Sequence, residues 1–77
     1  MIRVFSSPVC VYCATLKQFL RDHSIEFEDI NVLEDKEAAQ EMIEKTQQMS
    51  IPVIDINGEF IVGFDKKRIS ELLGIKD

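Results

Sequence analysis

Apolar and polar side chains alternate along the first half of the chain in patterns that predict three elements. Residues 2–5 form an apolar run typical of a short buried strand. Over residues 11–22 apolar side chains recur every three or four positions, which predicts an amphipathic helix. Residues 25–30 alternate apolar with acidic positions, the pattern of a half-buried strand. The first half therefore predicts a strand, a helix and a second strand.

The second half predicts a helix, a hairpin and a last helix. An apolar stripe runs through residues 35–47 at helical spacing. Strands are predicted over residues 52–56 and 59–62, and Asn57-Gly58 between them favours a two-residue hairpin turn. The last helix carries its apolar residues at i, i+3 and i+4 spacing, at Ile69, Leu72 and Leu73.

Aspartates stand at the predicted starts of the last two helices. Asp35 and Asp65 are both suited to cap a helix, because a carboxylate can accept hydrogen bonds from the unpaired backbone N–H groups there. The predicted order is β-α-β-α-β-β-α. It favours an α/β fold with a mixed four-stranded sheet and helices on both faces. A length of 77 residues predicts one domain, over residues 1–77.

Charge is unevenly distributed along the chain. The net charge is −5, whereas a nucleic-acid binder is expected to be basic. Residues 1–21 carry Arg3, Lys17, Arg21 and no acid, while residues 22–44 carry nine acids and one cation. No apolar run approaches about 18 residues, and no signal peptide begins the sequence. We expect a cytoplasmic protein that binds neither nucleic acid nor membrane.

The chain has two cysteines, Cys10 and Cys13, at the predicted junction of the first strand and the first helix. Two thiols separated by two residues in the first helical turn can close a disulfide with little backbone movement. Unpaired N–H groups and the positive end of the helix dipole favour a thiolate on Cys10. The local cations Lys17 and Arg21 favour it too, unless they only form a solvated helix face. Such a pair predicts thiol–disulfide chemistry.

Residues 5–13, Met49-Ser50-Ile51-Pro52 and Gly63-Phe64-Asp65 form three segments that together resemble the glutaredoxins, small proteins of the thioredoxin fold. Residues 5–13 match the family's strand, polar turn and Cys-Pro-Tyr-Cys motif. Met49-Ser50-Ile51-Pro52 resembles the family's Thr-Val-Pro segment, and Gly63-Phe64-Asp65 resembles its Gly-Cys-Asp segment. The resemblance covers essentially the whole chain and implies a thioredoxin-like fold of the glutaredoxin type.

The resemblance also implies a role for each of these positions. Cys10 is expected to attack a target disulfide, and Cys13 is expected to resolve the mixed disulfide. Pro52 is expected to follow a cis peptide bond and to face the dithiol, and the backbone of Ile51 is expected to pair with an extended substrate. The substrate-binding set implied in this way is Tyr12, Ser50, Ile51, Pro52, Gly63, Phe64 and Asp65.

The sequence also supports a separate prediction for each of the two aromatic residues in this set, Tyr12 and Phe64. Tyr12, between the cysteines, is expected to offer a flat wall to a docking disulfide rather than to be a plain surface aromatic. Phe64 is expected to be a partly exposed core residue beside Phe60.

Three positions depart from the family's pattern. Ser7 stands where a lysine is usual, Met49 where a basic residue often precedes Thr-Val-Pro, and Val11 where the motif has proline. In the family the first two positions help to bind the carboxylates of glutathione. The chain therefore resembles the small glutaredoxin-like redoxins, including those that serve ribonucleotide reductase and take electrons from thioredoxin reductase.

The expected partners follow from this resemblance. They are disulfide-containing proteins, with ribonucleotide reductase as a candidate target, and thioredoxin reductase or glutathione as the reductant. No metal or organic cofactor is required for the chemistry, and glutathione is the alternative co-substrate. The strand at residues 59–62 is expected to be a sheet edge, but the pattern predicts a monomer.

Other functions stay open from the sequence. One is an iron–sulfur carrier, with a cluster held between two chains by one cysteine of each and by glutathione thiols. Another is a domain that keeps the fold without turnover. Lys66, Lys67 and Arg68 oppose the helix dipole at the predicted start of the last helix. They suggest either a basic rim for an acidic protein segment or glutathione carboxylate, or a solvated charge run.

Overall fold

The centre of the fold is a mixed four-stranded sheet. The computed structural model describes residues 1–75, so Lys76 and Asp77, which the predicted domain includes, lie outside the described residues. The elements are β1 (Ile2–Ser6), α1 (Val11–Asp22), β2 (Glu28–Asn31), α2 (Lys36–Thr46), β3 (Val53–Ile56), β4 (Glu59–Val62) and α3 (Lys66–Leu73).

The strand order in the sheet is β2-β1-β3-β4. β1 runs parallel to β2 and antiparallel to β3, and β3 runs antiparallel to β4. In this register Val4 lies beside Asp29 on one side and Ile54 on the other. The predicted fold class is confirmed, as is the edge position of β4, and β1 lies inside the sheet between β2 and β3.

Helices cover both faces of the sheet, and the alternation of side chains along β1 assigns each face its own core. Val4 packs with Leu16 of α1 and Ile69 of α3. Phe5, the next residue, points to the opposite face and packs with Met42 of α2. The sheet thus lies between α1 and α3 on one side and α2 on the other. Within residues 1–75 no helix is long and apolar enough to cross a membrane.

The predicted caps and the predicted hairpin turn are confirmed. Asp35 accepts a hydrogen bond from the backbone N–H of Ala38 at 3.0 Å, and Asp65 accepts one from Arg68 at 3.2 Å. Asn57 and Gly58 both have positive φ, at 51° and 99°. Positive φ at both central positions is what a type I′ turn requires, and Asn-Gly is the dipeptide that adopts it most readily.

The second strand is shorter than predicted. Pairing with β1 begins at Glu28, opposite Arg3, so residues 25–27 are not part of the sheet. The backbone N–H of Ile25 donates to the carbonyl of Leu20 at 2.9 Å, which ties this segment to the end of α1. The apolar side chains that suggested a strand instead pack against the core beneath α1.

An arginine on β1 links the sheet to α2. The Arg3 guanidinium donates to Asp55 at 2.6 and 2.8 Å and to Glu41 at 2.7 and 2.9 Å. Asp55 is 5% exposed and also accepts from the backbone N–H of Gly58 at 2.8 Å. The hydrogen bonds from Arg3 lower the pKa of the Glu41 carboxyl. In turn, Glu41 and, to a lesser extent, Asp55 raise the pKa of Arg3. This network is called the Arg3 clamp below.

Candidate redox site

The two cysteines form a disulfide at the start of α1. Cys10 is the N-cap residue, with an extended backbone, and Cys13 lies in the first helical turn. Their Cα atoms are 5.2 Å apart. The backbone N–H of Cys13 donates to Sγ of Cys10 at 3.1 Å. The Cys10 sulfur therefore lies where the unpaired N–H groups and the positive end of the helix dipole act on it.

The two sulfurs differ in access to solvent. Cys13 is fully buried, whereas Cys10 is half-buried. A buried sulfur cannot be approached in line by a sulfur of another molecule without local opening. An incoming thiol or disulfide therefore meets Cys10 first.

The sheet register brings the three glutaredoxin-like segments to one end of the molecule. The chain leaves β1 after Ser6 and reaches Cys10 four residues later. Because β1 and β3 are antiparallel, that same end is where β3 begins, just after Pro52. β4 is antiparallel to β3, so it ends there too, just before Gly63. The Gly63 N–H donates to the Pro52 carbonyl at 2.7 Å, which joins two of the segments directly.

The peptide bond between Ile51 and Pro52 is cis, as the resemblance implied. Pro52 is buried, Ile51 is half-buried and Ser50 is exposed. The strand β3 starts only at Val53, one residue later than predicted, because proline has no N–H to donate to a neighbouring strand. The backbone before Pro52 is thus left outside the sheet at the end where Cys10 lies.

Four of the seven large apolar side chains that are exposed among residues 1–75 lie in the glutaredoxin-like segments at this end. The exposed fraction is 86% for Val9, 76% for Val11, 70% for Tyr12 and 74% for Met49. Three of them flank the cysteines in the chain, and Met49 precedes the cis peptide bond. We call these four side chains the apolar rim. Exposed apolar side chains that cluster, unlike scattered ones, are typical of a binding surface.

Phe64 has a different partner from the one expected. Its ring packs edge-on against Phe19 of α1, with 5.5 Å between centroids. Phe60 lies on the α2 face of the sheet and packs against Phe5, at 5.9 Å. The expectation that Phe64 lies beside Phe60 is wrong. The chain bends at Gly63, whose φ is 81°, and carries Phe64 to the face covered by α1 and α3.

The cations at the start of α3 are not equivalent. Arg68 pairs with Glu59 at 2.7 Å, and both side chains are about half exposed. Lys66 places its ammonium 5.8 Å from the centre of the Phe19 ring, and Lys67 is exposed. Arg68 and Lys66 therefore both make contacts within the chain, and the hypothesis of a basic rim stays a prediction.

Sequence reasoning missed a polar cluster next to the cysteine loop. The ammonium of Lys17 lies 3.0 Å from Asp29, and the hydroxyl of Ser6 donates to the same carboxylate at 2.9 Å. These three residues line a cavity of about 270 Å³ together with Ser7, Pro8 and Asn31. The available signals were Lys17, one helical turn after Cys13, and an acid at Asp29 in the neighbouring strand. Nothing in the sequence indicated that Lys17 and Asp29 are in contact.

The comparisons with known proteins agree on one family. The glutaredoxin family model matches residues 2–61. A Clostridium pasteurianum protein described as an uncharacterized glutaredoxin-like 8.6 kDa protein in the rubredoxin operon is 40% identical over 73 residues, 95% of this chain and 97% of that one. The glutaredoxin-like protein NrdH of Lactococcus lactis is 31% identical over 72 residues, 94% of this chain and 99% of that one.

A solved structure agrees with these relatives. The glutaredoxin-like protein NrdH-redoxin from Escherichia coli superposes with a TM-score of 0.83 at 27% identity, over 92% of each chain. That protein is described as having a thioredoxin-like activity profile.

Proposed function

Since this chain belongs to the glutaredoxin family, we propose that it is a dithiol–disulfide oxidoreductase that reduces disulfide bonds of proteins. One observation carries the proposal. A half-buried Cys10 at the start of a helix is bonded to a fully buried Cys13, in a protein whose family performs thiol–disulfide redox chemistry. This arrangement suits a nucleophile and a resolving thiol.

In the proposed reaction Cys10 is the nucleophile. The N–H groups at the start of α1 favour its thiolate, which attacks one sulfur of a target disulfide in line. A mixed disulfide forms, and the other target sulfur leaves as a thiolate. The Cys13 thiolate then attacks Sγ of Cys10, closes the disulfide of the site and releases the second target thiolate. Two electrons pass to the target, and the released thiolates take protons from solvent.

The residues around the disulfide are proposed to hold the target segment. The backbone at Ile51, next to the cis peptide bond, would pair with an extended chain as an added strand does. Tyr12 would form a wall against the target disulfide, and Ser50 and Pro52 would border it on the other side. Gly63, Phe64 and Asp65 would form the remaining border, at the start of α3.

The surface around the site favours protein disulfides over glutathione disulfides. Covering the apolar rim with apolar side chains is favourable because it removes apolar surface from water. A protein segment offers more such side chains than a tripeptide does. Ser7 is buried and uncharged, and Met49 is exposed and uncharged, so neither supplies a cation for a glutathione carboxylate. We propose ribonucleotide reductase as a target of this type.

The proposed reductant is thioredoxin reductase. The thioredoxin-like activity profile described for the Escherichia coli relative supports this choice over glutathione. The proposal assigns the role to a cytoplasmic monomer that needs no metal or organic cofactor.

The test is a comparison of reductants. Oxidised protein is mixed with a protein disulfide and NADPH, together with either thioredoxin reductase or glutathione and its reductase, and NADPH loss is followed. We expect fast turnover with thioredoxin reductase, abolished by Cys10→Ser. Fast turnover with glutathione alone would overturn the choice of reductant. Turnover with neither, or full activity in Cys10→Ser, would overturn the proposed function.

Two further observations sharpen the result. Cys13→Ser should trap a mixed disulfide with the protein target, visible by mass spectrometry under non-reducing conditions. A brown colour after anaerobic purification that disappears in Cys10→Ser would instead identify an iron–sulfur carrier.

A further inference from the structure

We propose that Lys17, anchored by Asp29 and Ser6, is a positioning residue for Cys13, stabilising the Cys13 thiolate when the disulfide of the site opens or closes. The inference rests on the proposed dithiol function and deepens it. It assigns a role to the polar cluster beside the cysteine loop, which the reaction as described above does not use.

The need for such a residue follows from the burial of Cys13. When a reductant attacks Sγ of Cys10, the bond to Cys13 breaks and its electron pair stays on the Cys13 sulfur. When the reaction runs the other way, Cys13 must first lose its proton to solvent before it attacks Cys10. Both directions place a negative charge on a sulfur that is fully buried. Burial disfavours a thiolate, and a cation nearby offsets part of that cost.

The position of Lys17 on α1 suits this role. Residues four apart in a helix lie on the same side, one turn above the other, and Lys17 follows Cys13 by four. Helical side chains also lean toward the start of the helix, so Lys17 covers the turn that contains Cys13. The Lys17 side chain is only 16% exposed, so its stem packs against the protein, and its ammonium forms a solvent-exposed hydrogen bond with Asp29.

Two strands hold the ammonium group in place. Asp29 of β2 accepts from Lys17 at 3.0 Å, and Ser6, at the end of β1 and 2% exposed, donates to the same carboxylate at 2.9 Å. This contact holds the ammonium beside Ser7 and Pro8, in the loop that leads from β1 to Cys10.

Few other ionisable groups compete at this position. Among residues 1–75, the ionisable side chains that line the cavity are Lys17 and Asp29. Cys10 and Tyr12 are the other titratable side chains of the turn that contains Cys13. The contribution of Lys17 can therefore be separated by substitution.

The test follows the two steps of the reaction with a small aromatic disulfide, dithiobis(nitrobenzoate). The reduced protein releases one coloured thiolate when Cys10 attacks and a second when Cys13 resolves the mixed disulfide, and stopped-flow absorbance separates the two phases. In Lys17→Met we expect the second phase to slow by about tenfold at neutral pH. The midpoint of its pH–rate profile should move about one unit higher.

The matched control removes the same charge from the same helix. Arg21 lies one turn beyond Lys17, and its guanidinium sits 5.6 Å from the ring of Phe27. Arg21→Met should leave the pH–rate profile of the second phase unchanged. Lys17→Arg keeps the charge and should keep most of the rate, which separates the electrostatic role from a loss of folding.

Each result decides one question. A second phase in Lys17→Met with the wild-type rate and profile would overturn the inference. An equal shift in Arg21→Met would overturn it too, because the effect would then come from net charge. The proposed function has its own test in the same experiment: Cys13→Ser should show the first phase alone. Absence of that first phase would remove the proposed function rather than the role of Lys17.

Discussion

Replacing Arg3 with methionine should destabilise the protein by about 3 kcal/mol. Methionine keeps most of the aliphatic volume but removes the four hydrogen bonds that Arg3 donates to Asp55 and Glu41. Asp55, 5% exposed, would then keep its charge with the N–H of Gly58 as its remaining partner in the clamp. Breaking a buried ion pair by removing one member costs about 3–5 kcal/mol, and the remaining hydrogen bond places this case at the lower end.

The other carboxylate of the clamp should matter much less. The Glu41 side chain is 38% exposed, so water can replace Arg3 and solvent screens the charge. We expect Glu41→Gln to cost less than about 1 kcal/mol. Both carboxylates lie within 3 Å of the same guanidinium, so the difference between them comes from burial. Arg3→Met also removes the contact of the guanidinium with the Phe5 ring, at 5.2 Å.

Urea unfolding at pH 7, followed by circular dichroism on the oxidised protein, measures these free energies. Arg3→Met combined with Asp55→Asn should be less destabilised than the sum of the two single variants, because no buried charge is left unpaired. Arg21→Met removes an exposed arginine whose guanidinium lies 5.6 Å from the Phe27 ring, and it should cost less than about 1 kcal/mol. If Arg3→Met costs no more than Glu41→Gln, burial of Asp55 does not determine the strength of the clamp.

Three further predictions concern charge. Arg3 lowers the pKa of the Glu41 carboxyl, so the Glu41 carboxylate contributes to stability above its unfolded pKa of 4.5. That contribution is lost as the pH falls through the lower pKa of the folded state. In acid unfolding, the difference in stability between wild type and Glu41→Gln should shrink over that pH range. Reversing Lys66 and Lys67 to glutamate should slow the reduction of an acidic protein disulfide several-fold while leaving a small neutral disulfide unaffected; unchanged kinetics with the protein would remove the basic rim. Met49→Lys should raise kcat/KM for a glutathione mixed disulfide by roughly 1.4- to 5-fold, which corresponds to the free energy of an exposed ion pair. Met49→Gln should show no such increase, and high salt should abolish the increase in Met49→Lys.

Local signals in the sequence predicted the architecture well. Asn57-Gly58, Asp35 and Asp65 each act on the two or three residues beside them, so the hairpin and both helix starts were readable from the chain. The bounds of α1 and β4 were predicted for the same reason, since an amphipathic pattern repeats within one element. The cysteine spacing and the two other glutaredoxin-like segments were enough to identify the family.

The features that sequence reasoning missed depend on contacts between distant residues. The Arg3 clamp joins residues 38 and 52 positions apart, and no periodicity connects them. Residues 25–27 carry the alternation of a strand, but a hydrogen bond from Ile25 to the end of α1 excludes them from the sheet. Phe64 was assigned the wrong neighbour because the face that a residue takes after a bend depends on the bend at Gly63, not on the pattern.

The position of β1 in the middle of the sheet has a consequence for synthesis on the ribosome. β1 precedes both of its partners in the chain, and its antiparallel partner β3 ends at Ile56. At about 5–20 residues per second, the roughly fifty residues that separate these strands take about 2–10 s to translate. For that time one side of β1 has no strand to pair with, although Val4 and Phe5 are fully buried in the folded protein. A nascent chain halted before Val53 would therefore present an open strand edge to other nascent chains.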